Sequence, residues 1–190
     1  MKRRGILFVT SGPSGSGKTT LCRMIEERLQ IHHNVSCTTR APRVGEQDGR
    51  DYFFLTPEDF NRKIQENAFL EWAEVHGARY GTLRDFVEQK RSNGEDLILD
   101  LDTQGALNLK KNDPEAVLIF IDVPDEHLRN RLHQRATEEV EKINRRLAQA
   151  DLERKVKEHY NHVVINEDLE SSYLQLVRLI EMERGHKASL

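Results

Sequence analysis

The segment Gly5-Ile6-Leu7-Phe8-Val9-Thr10-Ser11-Gly12-Pro13-Ser14-Gly15-Ser16-Gly17-Lys18-Thr19-Thr20 decides the fold. Ile6 to Thr10 is a short, nearly continuous apolar run, the pattern of a strand covered on both faces in a parallel sheet. Gly12 to Thr19 satisfies G-x-x-x-x-G-K-[ST] in full. Glycines allow successive backbone N–H groups to turn inward around an anion, and a helix that follows aims its positive end at the same place. That helix is legible from Thr19 to Gln30, with Leu21, Ile25 and Leu29 on one face. Strand, loop and helix together predict a nucleoside triphosphate site. Lys18 would lie along the β- and γ-phosphates, and the Thr19 hydroxyl would ligate Mg²⁺. Pro13, Ser14, Gly15, Ser16, Gly17 and Thr20 complete the ATP-binding loop. This motif occurs in GTPases, motors and small-molecule kinases alike, so the reaction must be read elsewhere.

Working outward, two more apolar runs have the same character: Leu97 to Asp102 and Val117 to Asp122, with a weaker one at Val163 to Ile165. Helical spacing covers Thr82 to Ser92, Asp125 to Gln134, Glu139 to Tyr160 and Leu169 to Glu183. Strands alternating with helices imply βαβ units and a parallel sheet covered on both sides. Residues 34–81 break the rhythm with short strand-like runs around Cys37, Phe53 and Trp72, and a small helix opened by Thr56-Pro57. An inserted, mainly antiparallel lobe is expected there. The last six residues, from Gly185, are expected to fray.

Composition narrows the partners. A net charge of −3 is too small for a non-specific nucleic-acid or membrane binder, so any anion site needs locally clustered arginines. No apolar run reaches the roughly 20 residues of a membrane span. Met1 to Arg4 precedes an apolar stretch too short for a signal peptide, and it runs straight into the glycine loop. Cys22 and Cys37 have neither metal-ligand spacing nor disulfide context, which suits reduced thiols in a cytoplasmic protein.

The lobe carries the second cluster: Ser36, Arg40, Arg43 and Tyr52, then Glu71, Tyr80 and Thr82. Two guanidinium forks near two phenols suit a phosphate. A carboxylate such as Glu71 can accept from the N1–H and N2–H₂ edge of guanine, which adenine does not offer. Ser36 and Thr82 can donate to O6 or N7.

Ser36-Cys37-Thr38-Thr39-Arg40-Ala41-Pro42-Arg43 resembles the S-x-T-T-R-x-P-R segment of the guanylate kinases, and Gly45-Glu46 with Gly49-Arg50-Asp51-Tyr52 continues it. Glu71-Trp72-Ala73, Tyr80-Gly81-Thr82 and Leu99 to Gly105 are similar to further motifs of that family, in the same order. The resemblance implies a three-layer α/β fold of the P-loop NTPase kind, with a central parallel sheet, an inserted GMP-binding lobe and a helical lid. The chain would be one domain over 1–190: core 5–33, 83–127 and 160–190, GMP lobe 34–82, lid 128–159. ATP and GMP, with dGMP as a further acceptor, would be the substrates, giving ADP and GDP with Mg²⁺ as cofactor. The family places Arg40, Arg43, Tyr52 and Tyr80 on the GMP phosphate and Ser36, Glu71, Thr82 and Asp102 around guanine. Asp100 would position hydrated Mg²⁺ or an acceptor-side water.

The lid pattern R-x-x-x-R-x-T-E, then I-N-x-R-L, matches Arg131, Arg135 and Arg146, which would serve ATP and the transferring phosphoryl group beside Lys18 and Arg40. Asn166 is a candidate for the adenine edge. Gln134 and Ala136 stand where the family usually has glycine, which would stiffen the hinge. Guanylate-kinase-like scaffold modules use the same lobe for phosphopeptides, but typically with broken P-loops, whereas this loop is intact. A GTPase would need an Asn-Lys-x-Asp motif, which the sequence lacks. The sequence leaves monomer or homo-oligomer open.

Overall fold

The computed structural model describes residues 3–75, 77–135 and 140–188, and the side chains among them apart from 131–142 and 187–188. Strand β1 (Leu7–Ser11) is followed by α1 (Lys18–Leu29) and β2 (His32–His33). The chain then leaves for the lobe and returns as α3 (Arg84–Ser92), β7 (Leu97–Asp100), α4 (Thr103–Asn112) and β8 (Val117–Asp122). Helices α5 (Asp125–Arg135) and α6 (Val140–Arg154), strand β9 (His162–Ile165) and α7 (Leu169–Ala188) complete it.

The five core strands form an all-parallel sheet in the order β2-β7-β1-β8-β9. The apolar runs end up inside because both sheet faces are covered, and the two-residue period divides each run between them. Ile6 and Phe8 pack with Leu21, Ile25, Leu176 and Ile180 of α1 and α7 on one face. Leu7 and Val9 pack with Val87, Ala106 and Leu109 of α3 and α4 on the other. This is the three-layer α/β fold read from the sequence. Because β1 is central, with β7 and β8 as its neighbours, the loop after it opens at the point where connections leave to either side of the sheet. Ligands of open parallel sheets bind at such points.

The insert contains β3 (Cys37–Thr38), β4 (Phe53–Phe54), α2 (Pro57–Gln65), β5 (Phe69–Val75) and β6 (Ala78–Leu83). They form a second sheet, β4-β3-β6-β5, antiparallel except between β3 and β4. Helix α2 begins as its sequence dictates: Thr56 accepts from the Asp59 amide at 3.1 Å, and Pro57 occupies the first turn. Phe60 of α2 stacks on Phe69 with ring centroids 4.5 Å apart. A Cβ at position 81 would lie 2.8 Å from Phe69, so glycine there lets the rings settle against β6. Cys37, Phe60 and Phe69 thus give the lobe its own core. The α5–α6 hairpin has another, built from Val123, Leu128, Ile143, Leu147 and Ala150.

Three points differ from the sequence expectations. The pair His32-His33 forms a strand that the sequence pattern did not reveal, because two polar residues become β only by pairing with Leu97 and Ile98. Helix α7 continues through Gly185 to Ala188 instead of fraying from Gly185. The helix predicted from Glu139 to Tyr160 stops at Arg154, and a 3₁₀ turn, Lys157–His159, leads to β9.

Candidate functional site

The P-loop has the backbone its glycines allow. Gly12, Gly15 and Gly17 adopt φ of 137°, 92° and 95°, and a Cβ on Gly12 would fall 2.1 Å from the Ile121 carbonyl oxygen. Helix α1 starts at Lys18 behind Gly17 with no side-chain cap, so its first amides face the loop. Lys18 Nζ donates to the Gly12 and Pro13 carbonyls at 2.7 and 3.1 Å, holding its charge across the mouth of the loop. Behind the loop, buried Asn166 donates from Nδ2 to the Ser16 carbonyl at 2.6 Å, and its own amide donates to the Asp122 carbonyl at 2.7 Å. The amide predicted for an adenine edge therefore supports the loop backbone.

Thr19 Oγ1 donates to Asp100 Oδ2 at 2.5 Å, so the two oxygens predicted for Mg²⁺ meet. Among the described residues no group of three or more His, Cys, Asp or Glu could hold a metal alone. This donor set suits Mg²⁺, a hard ion that takes one or two protein oxygens and fills its octahedron with phosphates and water.

The cleft beyond Lys18 has a volume of ≈ 310 Å³. The loop from Gly12 to Thr20, apart from Pro13 and Ser16, forms one wall, and Ser36, Tyr52, Glu71, Tyr80, Asp100 and Asp102 line the others. Glu71 of β5 is only 4% exposed and accepts from Thr82 Oγ1 of β6 at 2.8 Å. Burial pushes its carboxyl up to about 7, against the Thr82 hydrogen bond and with help from the charge of Asp102. Asp102 caps α4 by accepting from the Gly105 amide at 2.8 Å. A Cβ at Gly105 would stand 3.1 Å from Glu71 Oε2, so glycine there keeps the carboxylate accessible.

Arg40 and Arg43 line an adjoining depression of ≈ 560 Å³ with Tyr52 and Tyr80. Arg40 Nη2 donates to both oxygens of Glu46 at 2.9 Å, Nη1 donates to the Ala41 carbonyl at 2.7 Å, and the guanidinium lies 5.4 Å from the Tyr52 ring centre. Glu46 also accepts from the Arg43 amide at 2.8 Å. Burial opposes its ionisation, but the Arg43 amide and Arg40 guanidinium hold its pKa below the usual carboxylate value. Burial also pushes the Tyr52 phenol up to about 12, so it remains a proton donor at neutral pH.

The structure thus brings together Ser36, Arg40, Arg43, Tyr52, Glu71, Tyr80, Asp100 and Asp102 beside the P-loop, with Thr82 behind Glu71. The Arg131 and Arg135 side chains lie outside the described residues. Arg146 is exposed on α6 and does not line the cleft; Glu153 of the same helix does. Sequence reasoning missed the partnership of Glu46 with Arg40, although Glu46 stood inside a quoted motif.

A glycine cradle at the end of a central parallel strand, with Lys18 and Thr19 behind it, defines a P-loop nucleotide-binding protein of the α/β class. A family model described as guanylate kinase matches residues 4–183. Guanylate kinase of Syntrophotalea carbinolica is 47% identical over 191 residues, covering 100% of this chain and 90% of that protein. The enzyme of that name from Caldanaerobacter subterraneus subsp. tengcongensis is 45% identical over 186 residues, covering 97% and 90%. The crystal structure of guanylate kinase from Anaplasma phagocytophilum is 32% identical with a TM-score of 0.77, covering 96% of this chain and 88% of that one. The chain belongs to the guanylate kinase family.

Proposed function

We infer that the chain is an ATP:GMP phosphotransferase, transferring the γ-phosphoryl group of ATP to GMP with formation of ADP and GDP. The observation that carries the reading is the shared cleft, in which the Lys18–Thr19–Asp100 cluster faces Glu71, Tyr52 and Ser36. The P-loop amides and Lys18 hold the donor phosphates, while Arg40, Arg43, Tyr52 and Tyr80 hold the acceptor phosphate. Glu71 takes the two guanine donors, with Thr82 fixing one carboxylate oxygen, and Ser36 and Asp102 frame the base.

An oxygen of the GMP phosphate attacks Pγ in line; the new P–O bond forms as the bond from Pγ to the β-phosphate oxygen breaks. No general base is required, because the attacking phosphate is already ionised at neutral pH. Thr19 and Asp100 would hold Mg²⁺ through oxygen and water, and the ion, when bound, would supply neutralisation of phosphate charge. The α5–α6 hairpin acts as the lid, bringing Arg131, Arg135 and Arg146 over the transferring group and excluding water. Among the described residues no helix is long and apolar enough to cross a membrane.

A coupled assay with Mg²⁺-ATP tests this. GDP should form from GMP, with AMP, CMP and UMP at least about 100-fold poorer, as expected when a buried acceptor loses its donors. Turnover of AMP or UMP in preference to GMP would overturn the assignment.

A further inference from the structure

The lid hairpin has its own hydrophobic seam, so it can move as one body provided its two ends stay together. Both ends meet at one side chain. Arg154, the last residue of α6, donates from Nε to Asp122 Oδ1 at 2.9 Å and from Nη2 to the Val123 carbonyl at 2.7 Å. Its Nη1 donates to Asp125 Oδ1 at 2.6 Å, at the first residue of α5, and to Asp151 Oδ1 at 3.0 Å on its own helix. The guanidinium thus bridges the segment where the hairpin leaves β8 and the residue where it returns. Lys157 pairs with the other oxygen of Asp122, and the Val123 amide donates to Asp122 Oδ1 at 2.8 Å. Burial works against the Asp122 carboxylate, but Lys157 and Arg154 hold its pKa low.

The same strand end touches the donor site. The Asp122 carbonyl accepts from the Asn166 amide, and Asn166 Nδ2 holds the Ser16 carbonyl of the P-loop. The carbonyl of Ile121 lies against Gly12. One short stretch of β8 therefore carries both the root of the hairpin and the back of the phosphate cradle.

We propose that Arg154 is the pivot of the lid, a positioning residue that fixes both roots of the α5–α6 hairpin to the β8 end supporting the P-loop. It sets where the lid arginines arrive without touching substrate, and it rests on the reading of the hairpin as a lid. Only a planar fork can reach a carbonyl and two carboxylates on separate segments at once, so lysine is a poor replacement.

The full-length Arg154→Ala, Arg154→Lys and Asp125→Ala variants test the pivot by steady-state kinetics and peptide-level hydrogen exchange. Arg154→Ala should lower kcat about 10- to 100-fold, the scale of a misplacement near 1 Å, while KM for GMP stays within about twofold. Arg154→Lys should not restore kcat, and exchange should quicken together at residues 123–130 and 148–154. Asp125 has a side chain 66% exposed, so its truncation leaves the core intact; about a two- to fivefold loss of kcat is expected, with the same paired exchange. Three results would each overturn the pivot: wild-type kcat in Arg154→Ala, full rescue by lysine, or faster exchange confined to one end. If Arg154→Ala does not fold, Asp125→Ala decides, since unchanged exchange at both ends refutes the bridge. Should the wild type phosphorylate no GMP, the function assignment falls, while the exchange measurement still decides the bridge.

Discussion

Glu71 is where physical chemistry most constrains the reaction. Its carboxyl, raised to about 7 by burial, is protonated over part of the physiological range. A raised acid pKa means that the unliganded fold is favoured by the protonated form and loses stability as pH rises through about 7. If the carboxylate reads guanine as proposed, substrate binding runs the other way. KM for GMP should fall as pH rises from about 6 to about 8, beyond what the second ionisation of a phosphate near 6 accounts for. Glu71→Gln should raise KM for GMP about 10- to 100-fold, matching roughly 1.5–3 kcal/mol for a charged hydrogen bond, and leave only the phosphate's own pH dependence. An unaltered pH profile in that variant would remove Glu71 from base recognition. The residue types were legible in the sequence because each chemistry demands them: lysine behind glycines, a carboxylate for guanine, arginines for phosphate. The grip of Glu46 on Arg40 was not. It forms because the chain folds back through Pro42 and Gly45, whose φ of 89° is a property of the turn, and a six-residue spacing alone does not show a contact.

At the level of elements, the lobe depends on a few aromatic contacts. Phe60 is fully buried against Phe69 and Gly81. Phe60→Ala should destabilise the lobe by about 3–5 kcal/mol, the usual cost of deleting a buried ring. Because α1 and the P-loop have a separate core, GMP affinity should drop while ATP affinity remains; nucleotide titrations with a thermal melt would show the split. Equal loss of both would mean that the lobe and core share one cooperative unit. The elements most visible in the sequence were those with long apolar runs, such as Val117–Asp122, whose six residues are all buried. Strand β2 was invisible because its β character comes from a neighbour. Helix α7 runs past the stop that Gly185 signals because this weak helix former is carried by the preceding turns of a 20-residue helix.

Taken whole, the molecule is a central sheet with two outgrowths, each with its own small core, set on either side of one cleft. On the proposed function, the sheet would supply the donor cradle, the lobe would select the acceptor and the hairpin would deliver cations, so the chemistry would require all three to converge. That division was readable as the order of motifs along the chain, whereas the bridge from Arg154 to the P-loop required knowing which strand end stands beside Gly12. The buried carboxyl of Glu71 has a consequence beyond affinity. With a proton attached it becomes a donor, and adenine, which offers an acceptor at N1, is no longer refused by an unpaired charge. The ratio of AMP to GMP phosphorylation should therefore climb about tenfold as the medium moves from pH 8 to pH 6, following a carboxyl that titrates near 7. Competition between the two nucleotides across that range would measure it, and a flat ratio would refute it. The burial of one side chain would thereby tie the choice of acceptor base to the acidity of the surroundings.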